Sequence, residues 1–96
     1  MATVHELKTW PVYFDAVARG EKTFEVRRDD RGFQKGDIVR LRRWNTSWQG
    51  FDKVDPIERE IAWVLTGGQF GIEPGYVVLA LAPLRSPEPA RGEKTR

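Results

Sequence analysis

The chain has 96 residues, no cysteine, a single histidine and a formal net charge of +2. This length supports one domain with a modest core, and the lack of cysteine excludes disulfides, a thiolate nucleophile and a cysteine-based zinc site. One histidine leaves only carboxylates as further metal ligands, so we expect neither a metal nor another cofactor. No apolar run reaches membrane-spanning length and the start lacks a signal-peptide pattern, so we expect a cytoplasmic protein that does not contact the membrane.

The first third of the chain predicts a strand, a short helix and a second strand. Residues 4–8 alternate apolar and polar side chains, although the pattern does not decide which face points inward. Thr9 is the expected helix cap, and Gly20 is the expected helix stop. The helix should turn an apolar stripe toward the core, made of Trp10, Phe14 and Val17 with Tyr13 beside it.

The rest of the chain predicts three more strands, at residues 38–44, 57–66 and 76–81. In the first, Val39 and Leu41 share one face. In the second, the alternation of side chains predicts one common face for Ile57, Arg59, Ile61, Trp63 and Leu65. Phe33 is expected to fold back onto the core. The segment 67–75 is a glycine-rich connection that matches neither a phosphate-binding loop nor a dinucleotide fingerprint.

Two segments are harder to interpret from the pattern. Residues 45–55 have no period, and we interpret Trp48 and Phe51 as a lid that folds onto the core, with exposed stacking surfaces as the alternative. Residues 84–96 are basic, have too few apolar residues to fold and are expected to be a disordered tail. The order β-α-β-β-β-β therefore predicts a small α+β domain of residues 1–83, whose sheet closes into a partial barrel with the helix at one end.

The stretch that the rest of the chain is organised around runs from Gly20 to Arg28. Along the strand predicted at residues 22–28, Thr23, Glu25 and Arg27 share one face, and Lys22 lies at the exit of the helix. A carboxylate is thus placed beside a guanidinium and an ammonium. Such a cluster suits anion binding or acid–base chemistry, and it is equally compatible with an ordinary salt bridge.

The pattern Gly20-x-Lys22-x-x-Glu25-x-Arg27 resembles the signature of ASCH domains in the PUA-like superfamily. The chain is most similar to small bacterial and phage ASCH-like proteins of unassigned function. That similarity covers residues 4–81 and includes the motifs His5-Glu6-Leu7-Lys8, Phe33-x-x-Gly36-Asp37, Gly67-Gly68-x-Phe70-Gly71 and Gly75-Tyr76-Val77-Val78-Leu79. The resemblance implies a PUA-like pseudo-barrel of about five strands, with one short N-terminal helix packed at one end. It also implies a cleft lined by the signature and the glycine-rich loop.

The same resemblance implies a function connected with RNA. ASCH relatives are associated with RNA binding, and some with RNA cleavage or nucleoside deacylation, although a shared fold does not fix a function. One position departs from the deacylases, which carry a threonine nucleophile three residues after the signature lysine. Here that position is Glu25, and Thr23 lies one pleat away, so the deacylase interpretation is weakened.

Our candidate ligand-binding residues are His5, Lys8, Lys22, Glu25, Arg27 and Tyr76. Lys22 and Arg27 would bind a phosphate or a polar base, while Glu25 would accept from a base amino group or orient Arg27. The alternatives are a salt bridge at the barrel mouth, a structural role for the lone His5 and a core-edge position for Tyr76.

A second candidate surface combines arginine with an aromatic ring. Seven basic residues and three aspartates lie between Arg27 and Arg43. The predicted nucleic-acid surface consists of Arg28, Arg40 and Arg42 from this stretch and of Trp44, which directly follows it. Interleaved arginine and aromatic side chains suit single-stranded RNA, and the alternative is a solvated strand whose arginine stems cover Trp44.

Three functional hypotheses follow, of which a monomeric module that binds single-stranded RNA or a nucleotide-like ligand is the leading one. The second is a metal-independent hydrolase of RNA or of a modified nucleoside, with Glu25 as general base and Lys22 or Arg27 stabilising negative charge. The third is an adaptor that recognises a protein partner through Trp48, Phe51 and the basic strand.

Overall fold

The computed structural model describes residues 2–85. Its elements in chain order are β1 (Val4–Thr9), α1 (Pro11–Ala18), β2 (Phe24–Arg28), β3 (Ile38–Asn45), β4 (Gly50–Phe51), β5 (Ile57–Thr66) and β6 (Tyr76–Ala82). The predicted helix and the five longer strands are confirmed to within two residues, and β4 is an addition. Apart from Leu84 and Arg85, the predicted tail lies outside the described residues. No helix among residues 2–85 is long and apolar enough to cross a membrane.

The strands form one mixed sheet that remains open. Its order is β1-β3-β5-β6-β2, with β4 paired to β3. Among the strands of residues 2–85, β1 and β3 run parallel and the other pairs are antiparallel. The α+β class is therefore confirmed, whereas the sheet is not closed into a barrel. At the gap between the two end strands, which we call the seam, side chains of Arg27 and Arg31 bind the β1 carbonyls of Lys8 and Glu6, each at 2.8 Å.

The core lies between the inner face of this sheet and the helix. On β1, the buried residues are His5, Leu7 and Thr9, so the structure settles the face that the pattern left open. Phe33 is buried as predicted. The buried apolar cluster consists of Leu7, Phe14, Val17, Phe33, Val39, Leu41, Ile61, Val77 and Leu79. Burial of such side chains, worth about 1.5–3 kcal/mol each, is the main stabilising contribution in a domain of this size.

The helix begins one residue later than predicted. Thr9 is the last residue of β1, and its buried hydroxyl donates to the Leu7 carbonyl at 3.3 Å. Trp10 takes the N-cap position without a side-chain hydrogen bond, so the predicted Thr9 cap is wrong. Gly20 ends the helix as predicted, with a φ of 79° and its amide donating to the Val17 carbonyl at 3.0 Å.

Only half of the predicted helical stripe points into the core. Phe14 and Val17 are buried, whereas Trp10 and Tyr13 are 56% and 47% exposed. The rings of Trp10 and Tyr13 stack on each other with centroids 6.1 Å apart. These two aromatic residues extend past the edge of the core, because the sheet beneath them ends at the seam.

A bulge in β5 reverses the faces of that strand. Ile61 pairs with Leu81 and Trp63 pairs with Ala80, so Ala62 is an extra residue on β5. Because side chains alternate with a period of two, one inserted residue moves all later side chains to the opposite face. Ile61 is fully buried and Trp63 is 60% exposed, so the predicted common face of these residues is wrong.

The segment after β3 forms a short hairpin through β4 and does not act as a lid. Trp48 is exposed, and its indole N–H donates to Asp52 at 3.2 Å. Phe51 packs edge-on against Trp44, with ring centroids 5.0 Å apart. The predicted lid is therefore wrong for Trp48, whose ring is held at the surface by its own turn.

Candidate functional site

An open groove of about 550 Å³ lies at the seam, between the start of α1, the end of β1 and the strand β2. It is lined by Lys8, Thr9, Trp10, Tyr13, Lys22, Phe24, Glu25, Val26 and Arg27. All of the signature's charged side chains are thus among the lining residues. The glycine-rich loop is not, because it connects β5 and β6 at the opposite end of β2, where the backbone amide of Asp29 donates to the Gly75 carbonyl.

Glu25 is the buried carboxylate of the groove. Alternation along β2 turns it inward, and its side chain is 5% exposed. Its Oε2 accepts a hydrogen bond from the Lys22 ammonium at 2.7 Å, and its Oε1 accepts one from Arg27 Nε at 3.2 Å. A carboxylate removed from water needs such partners, since an isolated buried charge is costly.

Arg27 lies two residues further along β2 on the same inward face, as the alternation predicts. Besides its bond to Glu25, its Nη2 donates to the Lys8 carbonyl at 2.8 Å and contacts the Thr9 hydroxyl at 3.5 Å. Its guanidinium therefore crosses the seam and joins β2 to β1. With 25% of the side chain exposed, Arg27 also faces the groove.

Lys22 reaches the site from the turn that follows the helix. The amides of Glu21 and Lys22 both donate to the Ala16 carbonyl, which fixes this turn against the last helical turn. From there the ammonium contacts Glu25 and also donates to the Phe24 carbonyl at 2.5 Å. It lies 4.8 Å from the centroid of the Phe24 ring and 5.5 Å from that of Tyr13. The ammonium thus bridges the polar base of the groove and its aromatic walls.

The walls of the groove are aromatic. Trp10 and Tyr13 come from the start of α1, and Phe24 comes from the first position of β2. All three rings are about half exposed, so flat surface is available to a ligand. Sequence reasoning missed Trp10 and Tyr13 as groove residues, because their helical spacing was interpreted as a core stripe.

Positive charge dominates the groove. Lys8, Lys22 and Arg27 supply three cations, and Glu25 supplies the one carboxylate among the lining residues. The Lys8 ammonium lies 4.0 Å from the centroid of the Trp44 ring, on the outer surface next to the groove. The site is therefore suited to an electron-rich or anionic planar ligand.

Comparison with known proteins assigns the chain to a family. Residues 4–81 match the family described as a domain of unknown function, DUF3850. The chain belongs to this family. It is also similar to an uncharacterised 12.9 kDa protein in the GpA 3′ region of Escherichia phage P2, with 43% identity over 44 residues. Those residues are 46% of this chain and 40% of the phage protein, so the match spans less than half of either.

In this DUF3850 chain, His5 lies outside the groove. It is buried on β1, where its Nε2 is 2.8 Å from Asp37 Oδ2 and its ring packs on Phe33 at 4.7 Å. Burial raises the pKa of Asp37, but hydrogen bonds from His5 and from the amides of Thr3 and Gln34 outweigh this effect and lower the pKa below its usual value. These contacts describe a structural hydrogen-bonding role that joins β1 to the turn before β3.

Tyr76 also lies outside the groove. It pairs with Arg28 across β2 and β6, and the Arg28 guanidinium is 5.3 Å from the centroid of its ring. The four candidates that line the groove are therefore Lys8, Lys22, Glu25 and Arg27.

The predicted nucleic-acid surface is divided and partly neutralised. Arg40 binds Glu58 at 2.7 Å, and both Arg40 and Arg42 are within 4 Å of Glu6. Arg28 lies on β2, which β5 and β6 separate from β3 in the sheet. Two of its four residues, Arg40 and Arg42, consequently belong to a network of ion pairs on the outer face of β1, β3 and β5.

Sequence reasoning did not single out Arg43, which joins three segments. Its guanidinium binds both carboxylate oxygens of Asp15 on α1, at 3.0 and 2.8 Å, and it also binds Asp52 after β4. The hydrogen bond from Arg43 lowers the pKa of Asp15, and these bonds raise the pKa of Arg43. Arg43 thus fixes the helix and the hairpin to β3.

Within residues 2–85, no three histidines or carboxylates lie close enough together to hold a metal ion.

Proposed function

We propose that this domain is a binding module that holds a base of single-stranded RNA, or a nucleotide-like ligand, in the groove. The observation that carries the proposal is the buried Glu25 with one cation on each oxygen, at the base of a groove with aromatic walls. A base needs flat apolar walls for stacking and a few fixed polar groups for its edge, and this groove combines the two.

Both cations retain donors for a ligand. An ammonium has three N–H donors and a guanidinium has five. Within the described part of the chain, Lys22 directs donors to Glu25 and the Phe24 carbonyl, and Arg27 uses its Nε and Nη2. The remaining N–H groups, including those on Arg27 Nη1, suit a phosphate or a carbonyl of a base.

The finer fold assignment belongs to the same proposal. We assign the domain to the ASCH group of PUA-like folds, because the residues of its signature converge on one groove at the seam. The sheet also curves enough for arginine side chains to link its end strands. A solved structure whose end strands stay apart and whose groove lies elsewhere would contradict this assignment.

Hydrolysis is the weaker candidate for this groove. A general base needs a lone pair that the substrate can reach, and although each oxygen of Glu25 keeps a second lone pair beside the one bonded to a cation, the side chain is buried. If Glu25 took up a proton, its ion pair with Lys22 would be disrupted at a position where the Glu25 side chain is only 5% exposed. Product formation from RNA or acetylated cytidine by the wild type, lost in Glu25→Gln, would support the hydrolase instead.

The test of the binding proposal is a titration of the full chain with uridine, uridine monophosphate and short single-stranded RNA. Amide chemical shifts should change at residues 8–13 and 22–27, with weaker changes elsewhere. Lys22→Gln should weaken binding of the monophosphate by roughly 10-fold or more, because a hydrogen bond to a charged group contributes about 1.5–3 kcal/mol. Lys53→Gln, which removes an exposed lysine beyond β4, is the matched control and should bind normally.

The contrary result is equally specific. If Lys22→Gln and Lys53→Gln both bind like the wild type, or if the shifts avoid the groove, this site does not hold the ligand.

A further inference from the structure

The outer face of β2, β6 and β5 is an apolar surface that continues from the groove. Strand register places Phe24, Ala80 and Trp63 in one row across the three strands. The next row consists of Val26, Val78 and Leu65. We call these six residues the aromatic face. Phe24 and Val26 also line the groove, so the two surfaces meet at β2.

The exposure of this face follows from two features of the chain. On β2, the inward positions are taken by Glu25 and Arg27, so the apolar side chains point outward. On β5, the bulge at Ala62 turns Trp63 outward instead of into the core. As a result Phe24, Val26 and Trp63 are 45%, 53% and 60% exposed. A monomeric domain rarely exposes such a contiguous apolar patch without a binding role.

Each aromatic ring on or beside this face has a cation next to it. The Lys22 ammonium lies 4.8 Å from the centroid of Phe24, and the Lys35 ammonium lies 5.5 Å from that of Trp63. Beyond the second row, Arg28 lies over Tyr76. Glu60, further along β5, is paired with Arg85 at 3.1 Å. The rim of the face therefore carries positive charge at three points.

We propose that the aromatic face binds the nucleotides that flank the base held in the groove, so that the full ligand is a single strand of RNA. This inference rests on the function proposed for the groove. Bases stack on Phe24 and Trp63, while Lys22, Lys35 and Arg28 neutralise phosphates between and beyond them. Single-strand binding surfaces combine these two elements, exposed rings and a basic track.

The spacing of the rings suits an oligonucleotide. Phe24 and Trp63 are two strands apart, which is about 10 Å between their backbones at the usual strand separation. A mononucleotide in the groove does not reach Trp63, whereas a strand on the order of 4 nucleotides, a common site size, does. The outer face of β1 and β3 is a poorer track, because its arginines are paired with Glu6 and Glu58.

The experiment compares uridine monophosphate with an octauridylate on the wild type, Trp63→Ala, Trp63→Phe and Trp48→Ala. Trp48 is a matched control, since it is 59% exposed on the β3–β4 hairpin and belongs neither to the groove lining nor to the aromatic face. Loss of one stacking contact, worth about 1–3 kcal/mol, should weaken octauridylate binding by roughly 5- to 150-fold in Trp63→Ala. Monophosphate affinity should not change, and Trp63→Phe should restore most octauridylate affinity. Trp48→Ala should match the wild type for both ligands.

The outcomes separate this inference from the proposed function. Normal octauridylate binding by Trp63→Ala, with monophosphate bound in the groove, overturns the inference and leaves the groove function intact. Trp63-dependent octauridylate binding that Arg27→Gln leaves unchanged, without monophosphate binding, supports RNA binding by the face and contradicts the groove function. If the wild type binds neither ligand and instead forms a dimer that Trp63→Ala dissociates, the face is an interface between two copies and the proposal is wrong.

Discussion

Removing the guanidinium of Arg27 while keeping its apolar stem tests how the signature is held together. The substitution Arg27→Met leaves a methylene chain of similar length, so the loss is mainly that of charge and hydrogen bonds. Two bonds disappear, one to Glu25 at 3.2 Å and one to the Lys8 carbonyl at 2.8 Å. The contact with the Thr9 hydroxyl, at 3.5 Å, is too long to count as a full hydrogen bond.

The magnitude follows from burial. A hydrogen bond to a charged group contributes about 1.5–3 kcal/mol, and a neutral acceptor contributes about 1 kcal/mol. Arg27 is a quarter exposed, so water replaces part of what is lost, mainly at the Lys8 carbonyl at the edge of the sheet. Glu25 keeps Lys22 as its remaining cation. We therefore expect the free energy of unfolding to fall by about 2 kcal/mol, which lowers Tm by roughly 8–16 °C in a domain of this size.

The assay is urea unfolding of the full chain followed by tryptophan fluorescence, with Arg40→Met as the control. Arg40 binds Glu58 at 2.7 Å, yet both side chains are more than a third exposed, so this loss should be under about 1 kcal/mol. A double-mutant cycle with Glu25→Gln should give a coupling free energy of about 1 kcal/mol or more. Equal effects of the two arginine substitutions, or additivity in the cycle, would refute the argument that burial makes the Arg27 pair stronger.

Two further predictions concern other parts of the chain. The pKa of Asp37 is lower in the folded state than its ordinary value of 3.8, so its contribution to stability is present above about pH 4 and is lost as the pH falls further. Asp37→Asn should therefore lower the unfolding free energy at pH 7 and reduce its dependence on pH below 4, and an unchanged acid-unfolding profile would count against these hydrogen bonds. Gly67→Ala should lower the unfolding free energy by about 1–3 kcal/mol, because its Cβ would lie 2.1 Å from the backbone carbonyl oxygen of Glu73. Gly50→Ala makes an equally close contact, but with the exposed Trp48 ring, which can rotate away, so a loss as large as that of Gly67→Ala would contradict the reasoning.

The part of the site that the sequence predicts is the part that depends on local geometry. Lys22, Glu25 and Arg27 lie within six residues, and strand alternation alone puts the last two on one face. Residues far apart in the chain are different. The contact of His5 with Asp37 depends on the parallel alignment of β1 with β3, in which Val4 lies beside Ile38. No periodicity within either segment specifies that alignment.

The sequence pattern misplaces Trp63 on β5 and the rings of Trp10 and Tyr13 on α1, because in both elements a feature outside the local periodicity decides which side chains are buried. Nothing in the composition of β5 marks Ala62 as a bulge, so alternation carried Trp63 onto the buried face of Ile61. On the helix, the spacing of Trp10 and Tyr13 shows that they lie near the apolar side. It does not show where the sheet ends, and that boundary decides whether a ring is covered by the core or forms a groove wall.

The arginines at the seam have a consequence for how this protein behaves beside copies of itself. The end strands of an open sheet carry unpaired backbone groups that can pair with a strand of another molecule. Here Arg27 and Arg31 occupy the carbonyls of Lys8 and Glu6 on β1, and they hold β2 close to that edge. An incoming strand would have to displace both guanidinium groups before it could pair with β1. Arg27, which binds Glu25 in the groove, therefore also protects this edge of the sheet against aggregation, together with Arg31.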